Sequence, residues 1–466
     1  MLASSKLLPA MPIRPISHFC RTVLALLVLG MGLVSPARTQ DQASGQTTES
    51  VFADAGFEKW KAEGPKQELP WKVTMTANQL SFHQRLIALI QVSFPVHDVL
   101  KLASDDHLTL LVEARNGQGV SSHSFGVLQL GDLKPDMKRT DIEFSWVAFA
   151  APGQYEVTVA AWDKKSGKHN LMTRLFHVDA YKHDPLPEMW NGMDAFEFWS
   201  ENREGPDYLF HSDIQGRLNL PVQSKRPIQM DLLLDLTPSA DVFRGNVGYY
   251  NRYLTGAVPM FRVFSEIHLL NGKRDAETLD VVQKRVSFRQ VGGKELNWES
   301  LRKTLLPDNN PGTVSVKDLQ NKKQSPVFLR EEIISRLSDP ASQKIRSERP
   351  LHVFVLIGGP MSMYSFPQLP AIETGSEEDC VIYYFQFNFF ERPKLQPQRE
   401  ERRHRLGGFP NRIDHPERTQ IGPYISEDTK DLEKMLKPLK MRVFQVESPD
   451  EVRHALAKMM EDLNRR

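Results

Sequence analysis

The sequence predicts a multi-domain chain, with an antiparallel β-sandwich in its N-terminal part and a doubly wound α/β domain in its C-terminal part. Three observations carry this. At 466 residues the chain is long enough for two or three cores rather than one. Between Trp71 and Val178, short strand-like runs are separated by turn signals, with no sustained helical period. After Pro227, apolar strand-like runs alternate with stretches whose apolar residues recur at helical spacing, the pattern of a sheet covered by helices on both faces.

The first 37 residues read as a secretory signal peptide. Lys6, Arg14 and Arg21 precede an uncharged, mostly apolar stretch, and Ser35 and Ala37 offer small residues for cleavage. A retained anchor is the alternative, but the apolar stretch is short for a span of roughly 20 residues. Residues 38–66 are polar and read as a flexible leader. The sandwich is assigned to residues 67–180. Residues 71–75 alternate, residues 86–94 form an apolar run stopped by Pro95, and residues 108–112 lead to the Asn116-Gly117 turn. Residues 155–161 follow Pro152-Gly153, and residues 171–178 follow the turn at Ser166-Gly167. Short strands at this spacing fit an immunoglobulin- or fibronectin-like topology. Residues 181–226 form a connector whose Trp190 and Trp199 imply packing rather than a loose linker.

The α/β domain is assigned to residues 227–466. Strands are expected at 228–236, 264–269, 285–290, 351–357, 381–387 and 441–446. A helix is expected through residues 242–254 and another after Asn297. Ser325-Pro326 starts a further one, with Leu329, Ile333, Ile334 and Leu337 on one face. Leu432, Met435, Leu436 and Leu439 mark the next. The last is signalled by a Ser448/Glu451 capping box with Pro449 at the first helical position, and Val452, Ala455, Leu456, Met459, Met460 and Leu463 make its apolar face. Residues 391–418 are charged, without period, and read as a solvated loop.

Composition narrows the function. Net charge is +1 with 25% charged residues, so nothing global points to nucleic acid. Beyond the signal no stretch is long enough to cross a membrane. The chain has two cysteines; loss of Cys20 with the signal leaves Cys380 alone, with no intramolecular disulfide. Cys380 opens an apolar run and reads as a buried, inert thiol, and Asp379-Cys380 shows no histidine partner in the sequence. There is no phosphate loop, dinucleotide glycine pattern, HExxH or Gly-x-Ser-x-Gly. His404 and His415 read as solvated residues. The expectation is therefore a protein that is not an enzyme.

The chemistry-bearing motif is residues 230–239. An apolar run ends in Asp235, and hydroxyls follow at Thr237 and Ser239. The loop at the carboxyl end of a parallel strand is where ligands of open α/β sheets sit. One carboxylate and two hydroxyls are oxygen ligands suited to a hard cation. The same residues also suit a helix cap, with Thr237 and Ser239 bonding the first amides of a following helix.

On these residues the C-terminal half resembles the von Willebrand factor A-type domain, in a divergent bacterial form similar to secreted proteins of Acidobacteria. Residues 228–239 look like the family's first strand and its D-x-S-x-S metal loop. Residues 351–359 look like its central strand, and residues 441–446 with the Ser448 helix look like its closing pair. The resemblance implies an Mg2+ ion held by Asp235, Thr237 and Ser239, with a coordination position left for the carboxylate of a protein partner. Gly358-Gly359 stands where the family carries a second acidic residue, so that ligand is absent, and Pro238 restricts the loop. The expectation is a secreted or periplasmic protein that recognises or adheres to another protein through the carboxyl-end loops. A cell-envelope hydrolase on the same scaffold and a purely structural scaffold are the alternatives.

Overall fold

The computed structural model describes residues 47–103, 106–131, 140–199, 218, 220, 222–226, 228–235, 260, 263, 277–282, 289–291, 324–338, 351–358, 369–372, 380–387 and 434–466. The signal segment 1–37, the loop 391–418, and the helices expected through 242–254 and after Asn297 lie outside the described residues. So do the strand at 264–269 and most of that at 285–290.

Among the described residues the chain is already helical at Thr48, within the stretch expected to be a flexible leader. Thr47 caps helix α1 (Thr48–Ala55) by accepting from the Ser50 amide, and Gly56, in the left-handed region, closes it. Helix α2 (Phe57–Glu63) follows directly. Residues 48–63 are thus helical, not a flexible leader. Val51, Ala55, Phe57 and Trp60 recur at helical spacing and bury against Leu111, Phe125, Ala160, Trp162 and Leu171 of the sandwich.

Strands β1 (Lys72–Leu80), β2 (Leu86–Pro95), β3 (His107–Asn116), β4 (Ser121–Gln129), β5 (Asp141–Ala150), β6 (Gly153–Trp162), β7 (His169–Val178) and β8 (Phe196–Phe198) form two antiparallel sheets, with a short helix α3 (Val96–Leu102) between β2 and β3. The sheet orders are β1-β2-β5-β8 and β4-β3-β6-β7. Ile90, Val92, Phe94, Phe144 and Trp146 of the first meet Leu110, Val112, Val157 and Val159 of the second in one core. The second sheet carries α1 and α2 on its other face, so β3 and β6 are apolar on both sides. That is why Leu110, Leu111 and Val112 are consecutive rather than alternating. The β-rich N-terminal half is as expected, but β4, β5, β8 and α3 are additional. In β4 the polar run at Ser121-Ser122-His123-Ser124 hides its pattern. The connector residues 181–226 supply β8 to the first sheet, and Leu218, Leu220 and Val222 to the core of the next one.

The C-terminal half contains β9 (Ile228–Asp235), β10 (Glu277–Val282), β11 (Arg289–Val291), helix α4 (Gln324–Leu337), β12 (Leu351–Gly358), β13 (Cys380–Phe387), β14 (Arg442–Val446) and helix α5 (Pro449–Arg465). The six strands form one sheet in the order β11-β10-β9-β12-β13-β14. All neighbours are parallel except β10 and β11. Every residue of β12 and β13 is buried, as a parallel sheet covered on both faces requires. On one face Met230, Leu232, Val353, Val355, Val381 and Tyr383 pack beneath α5. On the other, Leu233, Phe354, Leu356, Ile382 and Tyr384 pack beneath Leu329 and Ile333 of α4. The capping box of α5 forms as expected: Ser448 Oγ accepts from the Glu451 amide, and Glu451 accepts from the Ser448 amide. β10 falls at residues 277–282, a stretch where no strand is expected.

Candidate functional site

Numbered in chain order within the six-stranded sheet, the strands run 3-2-1-4-5-6, so the order reverses between β9 and β12. In open α/β sheets a reversal of this kind is where ligands bind, beyond the carboxyl ends of the strands. Asp235 is the last residue of β9 and Gly358 the last of β12, and the two are in register. Val282 of β10 flanks Asp235 on one side, and Gln386 of β13 flanks Gly358 on the other. Gln386 is buried, although polar. The backbone at the carboxyl edge therefore presents Val282, Asp235, Gly358 and Gln386 as one row across four strands. Thr237, Ser239 and Gly359 lie outside the described residues. Among the described residues, no three histidine, cysteine or acidic side chains converge as a metal site would require.

A second polar constellation lies toward the amino ends of the same strands, on the face beneath α4. Asp231 of β9, 1% exposed, is hydrogen-bonded to His352 Nε2 of β12. His352 stacks on Phe354, with ring centroids 4.3 Å apart. It is also in register with Cys380 of β13, whose side chain shares the apolar cluster of that face. Asp231 Oδ1 is buried with no hydrogen-bond partner. An aspartate, a histidine and a cysteine thus follow one another across β9, β12 and β13. Sequence reasoning missed the pairing because Asp231 and His352 lie 121 positions apart. The available signal was a single polar residue inside each of two otherwise apolar runs, Met230-Asp231-Leu232 and Leu351-His352-Val353.

Two other groups of charge serve structure. Glu113 of β3 is buried on the outer face of the sandwich, where Lys61 Nζ of α2 reaches it at 2.6 Å. Ser121 Oγ donates to it at 2.8 Å and Arg115 at 3.2 Å. Burial pushes its pKa up, but the hydrogen bonds from His123, Lys61 and Ser121 and the Lys61 charge outweigh this and hold it well below the usual carboxylate range. In the C-terminal half, Asp462 of α5 accepts from Tyr383 Oη and pairs with Arg442 at 2.8 Å, which fastens α5 to β13 and β14. Burial, reinforced by that bond, pushes the Tyr383 phenol up. Glu332 is paired with Arg336 one turn on, while Glu331 is exposed.

Among the described residues, no helix is long and apolar enough to cross a membrane. No family model matches the chain, and no curated protein matches it significantly. Among solved structures, a structural-genomics target designated SoR45 is 13% identical over 25% of this chain and 88% of its own, with a TM-score of 0.17. The PKD domain of the human VPS10 domain-containing receptor SorCS2 is 16% identical over 32% of this chain and 89% of its own, with a TM-score of 0.14. Likenesses this slight carry no argument about fold or activity.

Proposed function

We propose that this is a secreted or periplasmic recognition protein, built on a von Willebrand factor A-like α/β module, that binds a protein partner at the carboxyl edge of the six-stranded sheet. The observation that supports this reading is the reversal of strand order between β9 and β12, with Asp235 and Gly358 ending those strands in register. Asp235 contributes a carboxylate, and Thr237 and Ser239 follow at alternate positions with hydroxyls. Hard oxygen donors of this kind would hold Mg2+, whose remaining position a partner's carboxylate could fill. Gly358 brings no side chain to the edge, so the ion would rest on a single acidic protein ligand and bind weakly. The test is calorimetric titration of the purified protein with Mg2+ and Mn2+, with Asp235→Ala alongside. Saturable binding abolished by the substitution is expected; no binding at millimolar cation would sink the cation-bridged mechanism.

A second reading, an enzyme, is favoured by the Asp231–His352–Cys380 row. An aspartate on one imidazole nitrogen orients the ring, and the other nitrogen can then serve as base to a neighbouring thiol. We rank it second because Cys380 is 6% exposed and the row lies toward the amino ends of the strands, away from the ligand edge. Iodoacetamide labelling of Cys380 in the native protein, carrying Cys20→Ser, separates the readings. A thiol that reacts below the ordinary thiol pKa of about 8.5, and loses this in His352→Gln, supports the enzyme. A thiol silent until the protein unfolds removes it.

A further inference from the structure

The two sheets of the sandwich end in four edge strands, β1, β8, β4 and β7. Three of these carry a safeguard against strand addition. β1 is irregular between Thr76 and Gln79. β8 has only three residues. β4 lies against β8, where Ser122 Oγ donates to the Phe196 carbonyl at 2.5 Å. Irregular, short or covered edges are the common means by which folded proteins avoid pairing with another chain. β7 has none of them. Its ten residues pair with β6 without a break, from Gly153–Val178 to Trp162–His169, and it contains no proline. Leu175, in its second half, is 75% exposed, more than any other large hydrophobic residue among the described ones.

The backbone of β7 can be oriented from one contact. Leu171 exchanges both hydrogen bonds with Lys66, on the side away from β6. Backbone direction alternates along a strand, so Thr173, Leu175 and His177 also turn their N–H and C=O groups away from β6. Thr173 confirms the parity: its Oγ1 lies 3.0 Å from that of Thr158, the close side-chain approach of a non-hydrogen-bonded pair. Among the described residues, no hydrogen bond reaches the backbone groups of Thr173, Leu175 or His177. Beyond the Lys66 bridge, β7 is therefore an open ladder with an exposed leucine at its middle.

We propose that β7 is a homodimer contact, in which it pairs antiparallel with β7 of a second copy about a two-fold axis at Leu175. The strand's own sequence selects this occupant and this register. With the axis at Leu175, Thr173 meets His177 of the second copy, Leu175 meets Leu175, and all the open backbone groups are paired. Arg174 then stands opposite Phe176 rather than opposite another arginine. An axis at Arg174 would set two like charges directly opposite, which is unfavourable. An axis at Thr173 would place Leu175 opposite Leu171, whose backbone groups Lys66 already occupies. Axes at Phe176 or His177 carry Thr173 past the end of the partner strand at Val178. In the Leu175 register, β7 of the second copy ends where the Lys66 bridge begins. Asp179 of that copy follows beside Lys66, a negative residue next to a positive one. The dimer joins the two β4-β3-β6-β7 sheets into one, with α1 and α2 of both copies on the same face. It is independent of whether Asp235 holds a cation.

Analytical ultracentrifugation of the full chain, from low micromolar to submillimolar concentration, tests the proposal. A monomer–dimer equilibrium is expected, since one strand pair is a contact at the small end of stable interfaces. Leu175→Lys, at an exposed position, should weaken association at least tenfold with the thermal midpoint unchanged. Leu175→Pro should do the same, because it removes a donor that faces the open edge and none that bonds β6. Cysteine cross-linking reads the register in the Cys20→Ser background. Residues paired across the axis lie about 5.5 Å apart at Cα, within disulfide reach. Leu175→Cys should give a covalent dimer with oxidised glutathione. Arg174→Cys, diagonal to its counterpart at roughly 7–8 Å, should not. A chain monomeric at every concentration would overturn the proposal. So would a dimer that Leu175→Lys leaves intact, or one that cross-links at Arg174→Cys in preference to Leu175→Cys.

Discussion

At the scale of single residues, the buried charges are the clearest determinants. Glu113 keeps its charge inside the α1–α2 face of the sandwich because Lys61, Ser121 and His123 surround it. Its pKa is depressed on folding, so its stabilisation is complete above the ordinary value of 4.5 and is lost as pH falls below it toward the folded value. We expect Glu113→Gln to cost about 2 kcal/mol at pH 7, the value of charge-assisted hydrogen bonds to a buried group. That difference should begin to shrink below pH 4.5 and go on shrinking through pH 3, as denaturant unfolding of both proteins at each pH will show. Gly126 is a steric determinant: a Cβ there would lie 2.1 Å from Cζ of Phe144 across the sandwich core. Gly126→Ala should lower stability by about 1–3 kcal/mol through overpacking, read as a fall in the thermal midpoint. Glu113, Gly126 and the Asp231–His352 pair are visible in the sequence only as residue types. Their partners come from other strands, and no local pattern names them.

At the scale of elements, the last helix shows how far local rules reach. Ser448, Pro449 and Glu451 specify its start through the capping box and the pre-set proline φ, and the spacing of its apolar stripe alone names its buried face. Ser448→Ala should destabilise the protein by about 1 kcal/mol, measured by chemical denaturation, because it leaves the Glu451 amide without its acceptor. The strand pair β9–β12 behaves differently. Its apolar runs identify both strands, yet the Asp231–His352 hydrogen bond exists only because these strands are neighbours. His352→Ala should cost about 3 kcal/mol or more, since it leaves a buried carboxylate with no partner on either oxygen; equilibrium unfolding of the variant provides the check. Helices α1 and α2 mark the opposite limit. Their polar composition reads as a leader, but four well-spaced apolar side chains suffice once a sheet face is present to receive them.

At the scale of the whole molecule, two cores of different construction meet, among the described residues, through the β1–β2 turn, the connector and α5. The antiparallel sandwich and the parallel sheet each bury a continuous apolar cluster, and Trp190 packs against both. Arg453 and Gln84 add directed hydrogen bonds and an ion pair to the apolar contacts of Phe82, Leu186 and Trp190 at this boundary. By itself the sequence determined the succession of a strand-rich half and a strand-and-helix half. It also determined the existence of the strands expected at 228–236 and 351–357, and the capped final helix. These follow from periodicity and from residues within one turn of each other, where the interacting partners are close along the chain. Only the tertiary structure decided that Asp235 and Gly358 end neighbouring strands at the reversal of sheet order. The same holds for the packing of residues 48–63 on the sandwich, the His352 bond to Asp231, and the Gln84 turn at the joint between modules. Each depends on which segments become neighbours in space, and that choice is made by the burial of whole faces, not by any local stretch of chain.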